Sequence, residues 1–479
     1  MSIKFTNIPS LEGMDAQITP VLEGSPLCRI PAVRALYGAV TKQKLMDTAP
    51  GETAAFVLAF EEGLKQIVFA NLDLHEDRYK LFATVAKAVQ TAVELRAKTI
   101  FVPVGTAFSE EEVSLICQAL LLGAYRFDLY KGEKGDRVKF TVYSERDYSE
   151  AVAAGKILAE STNFARDLVN TAPSDMTPIL LAQKAAAQAE LCGVSYEILG
   201  EREIEELGMG SFLAVARGSD NPPRLIVLRY RGDPDSDSTV ALVGKGITFD
   251  TGGYDIKDAD GMATMKSDMG GAAAVIGAIL AIARSGIRAN VTAVVAACEN
   301  RISGSAYLPS DVLRTMSGKT VEVVNTDAEG RLTLIDAVTY AVEKENAFAV
   351  IDIATLTGAA IVSLGYRYAA LVSDSKVLTE MTLRASAASG EKVWQLPCDE
   401  LFLEPLRQST VADLRHLGGK GGGAITAGMF IREFAQGRHF AHLDIAGPAF
   451  LETPGDGWAA GGTGYGVRLL YHTLKLLAE

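Results

Sequence analysis

No Cys-x-x-Cys pair occurs in these 479 residues, and the five cysteines, Cys28, Cys117, Cys192, Cys298 and Cys398, stand far apart and in odd number. That pattern excludes a disulfide frame and a thiolate metal site, and it fits reduced thiols in a cytoplasmic protein. Histidine is as scarce: His75, His416, His439, His442 and His472 are scattered and form no H-E-x-x-H, which argues against a histidine-ligated zinc protease. No G-x-S-x-G marks a serine hydrolase elbow. No run approaches the length of a membrane span without a charge or breaker, so none is expected. The start, MSIKFTNIPSLEGMDAQ, lacks the basic residues and apolar core of a secretory signal. Positive charge is in deficit, with 46 Lys and Arg against 59 Asp and Glu for a net charge of -13. A nucleic-acid partner needs a positive stripe, and none stands out.

What is present describes a folded chain. Hydrophobic residues make up 48% and charged residues 22%, a globular balance, and the length exceeds what one core supports. In the first 150 residues TAAFVLAF, KQIVFANL, KTIFVPVG and RVKFTVYS read as strands, and DRYKLFATVAKAVQTAVELRA and SEEEVSLICQALLLGAYRF as helices by their 3.6 period. A long helix is expected from Tyr148 to Val169, closed by NTAPSDMTP, where Pro173 and Pro178 forbid its continuation.

A second series follows: helix ILLAQKAAAQAELCG, strands PRLIVLRY and STVALVG, helix MGGAAAVIGAILAIARSG, strands ANVTAVVAACEN and KTVEVVN, helix RLTLIDAVTYAVEKE and strand AFAVIDIATL. Its near-continuous apolar strands suit a sheet covered on both faces. The fold expected is α/β: two α/β domains, each with a mixed, largely parallel sheet and helices on both faces, joined by a long helix. The boundaries expected are 1–150, 151–178 and 179–479. GGKGGGAITAG, Gly418 to Gly428, reads as a glycine-rich loop.

In open α/β sheets ligands sit beyond the carboxyl ends of the strands. After STVALVG comes KGITFDTGGYDIK with Lys245, Asp250 and Lys257; Asp268 precedes a helix; after VEVV comes NTDAEGR with Asp327, Glu329 and Arg331. Taken singly, Asp268 and Asp327 are plausible helix caps. Taken together, four carboxylates against two lysines and one arginine are better explained by one or two divalent cations, which prefer oxygen ligands. If Asp327-x-Glu329 is extended, both side chains share one face. MSGKT lacks the first glycine of a phosphate loop and reads as a turn between strands, and DADG reads as a surface turn.

These residues resemble a known family. GKGITFDTGGYDIK, MKSDMGGAAAV and above all NTDAEGRL are similar to the signature blocks of the leucyl (cytosol) aminopeptidases, two-metal exopeptidases that are usually hexameric. ARDLVNTAPSDMTP, DIATLTGA, GGKGGGAITAGMF and HFAHLDIAGPAF support the resemblance, and the Gly-Gly-Tyr form is similar to the peptidase B branch. Thr251 stands where the family usually has Ser.

The resemblance implies that Asp250 and Glu329 bridge two metals. Lys245 and Asp268 would complete the tighter site and Asp327 the more exchangeable one. The ions implied are zinc or manganese, with magnesium or cobalt in exchange. Lys257 would polarise the scissile carbonyl, and Arg331 would hold a bicarbonate that acts as general base. Met265, Thr355, Gly358 and Ala446 match positions lining the pocket for the first side chain, although core packing alone is the commoner role of such residues. Short peptides as substrates, a homohexamer and a cytoplasmic location are implied as well. A two-metal phosphoesterase is the competing class, and the lack of a further basic phosphate clamp weighs against it.

Overall fold

The computed structural model describes residues 1–74 and 77–479; His75 lies outside the described residues. The chain divides into two compact units, Met1–Asn163 with Ala387–Gly390 and Thr453–Ala460, and Phe164–Ser386 with Glu391–Glu452 and Gly461–Glu479. The helix Ser149–Asn170 carries the chain from the first unit into the second.

The sheet of the first unit runs, in spatial order, Ser2–Thr6, Lys139–Tyr143, Thr99–Pro103, Ala16–Leu22, Gly63–Leu72 and Thr53–Phe60. Along that path only the last pair is antiparallel. Ala16–Leu22 is central, and its sequence did not declare itself because Pro20 reads as a breaker. Pro20 is tolerated because Thr99–Pro103 pairs only with Ala16 and Gln17. The helix Arg78–Glu94 is capped by the Asp77 side chain, and Glu110–Gly123 by a capping box between Ser109 and Glu112. The late segment Thr453–Ala460 is anchored in this unit by Trp458, which stacks on Phe82 at 5.0 Å.

The second unit holds an eight-stranded sheet in the order Lys392–Gln395, Tyr368–Ser373, His439–Asp444, Ala349–Ala354, Thr239–Asp250, Asn290–Asn300, Arg224–Arg231 and Ser195–Leu199. Its four middle strands are parallel, so their carboxyl ends fall on one edge. Within Thr239–Asp250, alternate residues meet different helices. A Cβ on Gly244 would lie 2.6 Å from the Gly271 carbonyl of the helix Gly270–Arg284, whereas the neighbouring Lys245 packs on Gly330, first residue of the helix Gly330–Glu343. Both faces are thus covered, and the apolar strands follow from that. The stretch Met265–Arg284 is long and apolar enough to cross a membrane, but 89% of its apolar window is buried inside the protein.

Three local expectations are corrected. KTVEVVN does not join the main sheet: only Thr320–Glu322 is a strand, in a small sheet with Val312–Arg314 and Leu414–Arg415. The rest leaves because the Val324 amide bonds to the His416 ring at 3.1 Å and the Val323 amide to the Asp311 carbonyl at 2.8 Å. GGKGGGAITAG is a loop only to Gly422, since Gly423–Arg432 is helical. DADG opens a short helix, Ala259–Ala263, capped by Asp258. MSGKT is the turn between Val312–Arg314 and Thr320–Glu322, as expected.

Candidate metal centre

Lys245 and Asp250 are five residues apart on one strand, which in a regular pleat would send them to opposite faces. The pairing with Asn290–Asn300 shows why they meet. Lys245 lies opposite Ala296 and Asp250 opposite Asn300, with the register shifting between Ile247 and Phe249. One extra residue is accommodated there, a β-bulge, and the face is restored.

The Lys245 ammonium donates to Asp268 Oδ1 at 2.7 Å and the Thr355 carbonyl at 3.0 Å, and pairs with Glu329 Oε1 at 2.9 Å. Its stem leaves no room at Gly330, where a Cβ would fall 2.5 Å from Lys245 Cε. Lys257 Nζ lies 2.8 Å from Asp250 Oδ2 and 2.5 Å from Asp327 Oδ1. The turn that brings Lys257 back needs Gly252 at φ +85°, where a Cβ would stand 2.6 Å from the Asp255 carbonyl.

Asp327 and Glu329 do converge, but not by strand alternation. Asn325 Oδ1 accepts the Asp327 amide at 2.6 Å, making a turn, and Glu329 already has helical angles of φ -72° and ψ -33°. Neither aspartate is a cap: the helix Gly270–Arg284 starts after Met269 and Gly330–Glu343 after Glu329, and neither start has a side-chain cap bond.

Side-chain oxygens of Asp250, Asp327 and Glu329 all lie within 4.8 Å of one another. Burial pushes the carboxyls of Asp250, Asp268 and Asp327 above the ordinary range; Glu329 adds to this at Asp250 and Asp268, and the lysines offset part of it. Burial disfavours the Lys245 and Lys257 ammonium ions too, but the surrounding carboxylates outweigh it and hold both above the usual lysine value. Negative charge exceeds positive here. Asp268 Oδ2 and Glu329 Oε2 are buried without a hydrogen-bond partner, a costly condition for a carboxylate in low dielectric. A donor set of clustered hard oxygens with unpartnered lone pairs fits divalent cations.

Arg331 is 4% exposed. It donates to the His416 carbonyl at 3.0 Å, and its Nε has no partner. Burial lowers it to about 10, with Glu329 and then Asp444 resisting. Of the expected pocket residues, Thr355 touches the cluster through Oγ1 to Asp268 Oδ1 at 2.8 Å, and Met265 accepts the Asp268 amide at 3.3 Å. Gly358 opens the helix Gly358–Leu364, and Ala446 follows the strand His439–Asp444. Asp444 ties their segments together, accepting Ala446 N at 3.2 Å and Thr357 Oγ1 at 2.6 Å.

Sequence reasoning passed over Asn300, Thr326, His416 and Asp444. Asn300 and Asp444 each end an apolar strand, the same signal that singled out Asp250. His416 gave none, because it works on backbone: Nδ1 accepts the Val324 amide and Nε2 lies 2.9 Å from the Asn325 carbonyl. Another pair with no sequence signal is His442 with Asp352, fully buried on neighbouring strands at 2.6 Å.

The family described as "Cytosol aminopeptidase family, catalytic domain" matches residues 163–471. The chain is 44% identical over 472 residues to a "Probable cytosol aminopeptidase" of Clostridium perfringens, covering 95% of this chain and 96% of that one. A protein of the same description from Alkaliphilus oremlandii is 41% identical over 464 residues, covering 93% and 92%. Among solved structures, the bottromycin maturation enzyme BotP in complex with Mn superposes with a TM-score of 0.87 at 32% identity, over 97% of this chain and 100% of that one.

Proposed function

Because the chain belongs to the cytosol aminopeptidase family, and is therefore a metal-dependent peptidase of the leucyl aminopeptidase type, we propose that it removes single N-terminal residues from short peptides at a two-metal centre. The observation that carries this is the group of Asp250, Asp268, Asp327 and Glu329 around Lys245 and Lys257, with two carboxylate oxygens buried and unpartnered. Lys245, Asp250, Asp268, Asp327 and Glu329 would hold the ions. Zinc or manganese suits this set, with magnesium or cobalt in exchange. When bound, such ions acidify water toward neutral pH and draw charge from a carbonyl oxygen.

The chain's own residues divide the remaining work. Lys257, as the ammonium, would place its charge near the scissile carbonyl oxygen as negative charge develops there. Lys245 can act as a ligand only after releasing its proton. Arg331, unable to act as a base, presents a free Nε–H to an anion of the bicarbonate type, whose role is to take a proton from the attacking water. The water oxygen joins the carbonyl carbon, the C–N bond breaks, and the leaving amine takes the proton that the anion had accepted from the water. Thr355, Met265, Gly358 and Ala446 would receive the first side chain. The substrate's α-amine must be neutral, so kcat/KM rises toward alkaline pH. The assembly proposed is a homohexamer, resting on the family resemblance, and the compartment the cytoplasm, in keeping with relatives named cytosol aminopeptidases.

The test is hydrolysis of a panel of aminoacyl amides by wild type and Asp327→Ala after metal reconstitution. A loss of at least about 100-fold in kcat is expected, the scale seen when one group stabilising developing charge is removed. Equal rates for the two proteins would sink this reading.

A further inference from the structure

Asp250 and Asp327 lie on segments 77 positions apart in sequence, and both must be held at fixed separation for one cluster to form. Lys257 touches both carboxylates directly, and one further side chain, from behind, ties their segments together. Asn300 closes its strand opposite Asp250, is fully buried, and uses one amide group twice: Nδ2 donates to Asp250 Oδ1 at 2.8 Å and to the Thr326 carbonyl, immediately before Asp327, at 3.1 Å. The orientation is forced by charge, since an amide oxygen turned toward Asp250 would face a carboxylate. The Asn300 carbonyl also receives the Thr251 amide at 3.0 Å and the Thr251 hydroxyl at 2.9 Å, so the segment after Asp250 hangs from the same residue.

The joint is braced around this contact. Thr326 Oγ1 donates to the Gly252 carbonyl at 2.7 Å and accepts the Asp255 amide at 2.8 Å, while Asp255 Oδ2 accepts the Thr326 amide at 2.7 Å. Tyr307 donates a second bond to the Thr326 carbonyl at 2.8 Å. Among these side chains Asn300 bonds to a carboxylate of the cluster and to the opposite loop at once; the Gly252 backbone does so as well, its amide donating to Asp250 Oδ1 at 2.8 Å and its carbonyl accepting Thr326 Oγ1.

We propose that Asn300 is a positioning residue that sets the spacing and orientation of Asp250 relative to Asp327, and through them the affinity for divalent cations. This rests on the metal-centre reading above and adds to it a group that is not a ligand. Partners that orient metal ligands from behind typically change affinity by about 10–100-fold when removed.

The experiment is calorimetric titration of the metal-stripped full chain with manganese(II), alongside thermal unfolding of the metal-free protein. Asn300→Ala is expected to raise the manganese Kd by about 10–100-fold. Asn300→Asp, of the same shape but with no donor for Asp250, is expected to raise it at least as much and guards against a folding defect in the alanine variant. Asn290→Ala serves as the structural comparison, because that buried amide bonds to loop backbone far from the acids, donating to the carbonyls of Asp233 and Ser236 and accepting the Asp233 amide; it should lower Tm and leave Kd unchanged. Tyr307→Phe should change Kd less than about threefold, well inside the range for a lost orienting partner. Wild-type Kd values in both Asn300 variants would overturn the positioning role alone. No manganese binding by the wild type would overturn the metal-centre reading and this role with it.

Discussion

Two buried lysines, one in each unit, sit on strands of largely parallel sheets and end in opposite chemical situations. Lys65 in the first unit is 8% exposed and gives its ammonium to the Met14 carbonyl at 2.7 Å and the Leu11 carbonyl at 3.4 Å, with Glu62 nearby at 3.6 Å. Its needs are met by backbone carbonyls and an exposed acid. Lys245 in the second unit is 3% exposed and faces Asp268 and Glu329, each of which keeps another oxygen without a partner. Burial of a lysine therefore says little by itself. Unmet acceptors beside it mark a place built for something more.

The largest effect that would sharpen this contrast is on catalysis. Lys245→Met and Lys257→Met are each expected to lower kcat/KM for an aminoacyl amide by about 10²–10³-fold. Lys65→Met should leave kcat/KM within twofold and cost about 1–3 kcal/mol in urea unfolding, because two carbonyls lose their donor. Comparable activity losses at all three positions would erase the distinction.

A smaller effect concerns pH. Burial first, then Arg331 and Arg415, hold His416 down to about 4, so it is neutral where the unfolded chain's imidazole titrates near 6.5. A depressed folded-state value contributes stability that is complete above about 6.5 and lost as pH falls toward 4. The stability advantage of wild type over His416→Asn should shrink by about 3 kcal/mol across that window. Comparison with the variant is needed because Asp336, buried and raised to about 7, acts with opposite sign: its burial penalty fades as pH falls. A pH-independent difference would mean the imidazole titrates in its pocket as it does in the unfolded chain.

Much of the second unit was legible because its strands are apolar on both faces and end in polar residues. The ends of STVALVGKGITFD and ANVTAVVAACEN hold Asp250 and Asn300, and the sequence argument took up the first and not the second. Three things were out of reach. The bulge near Thr248 leaves no compositional trace, although without it Lys245 and Asp250 would face apart. The departure of Val323 and Val324 from the strand depends on His416, some 90 residues away, and periodicity cannot register a hydrogen bond from a distant ring. Ala16–Leu22 was hidden by Pro20, whose cost depends on where a neighbouring strand stops pairing. The convergence of Asp327 and Glu329 was anticipated for the wrong geometric reason, since a turn and a helix start bring them together instead of a pleat.

The central claim is that the cluster around Lys245 is completed by two divalent ions. Its most direct measurement is the manganese stoichiometry of the full chain after stripping and dialysis, for wild type, Lys65→Met and Asp250→Ala. The account predicts two ions per chain in the first two proteins and fewer than one in the third. Equal stoichiometry in all three, or none in wild type, would contradict it.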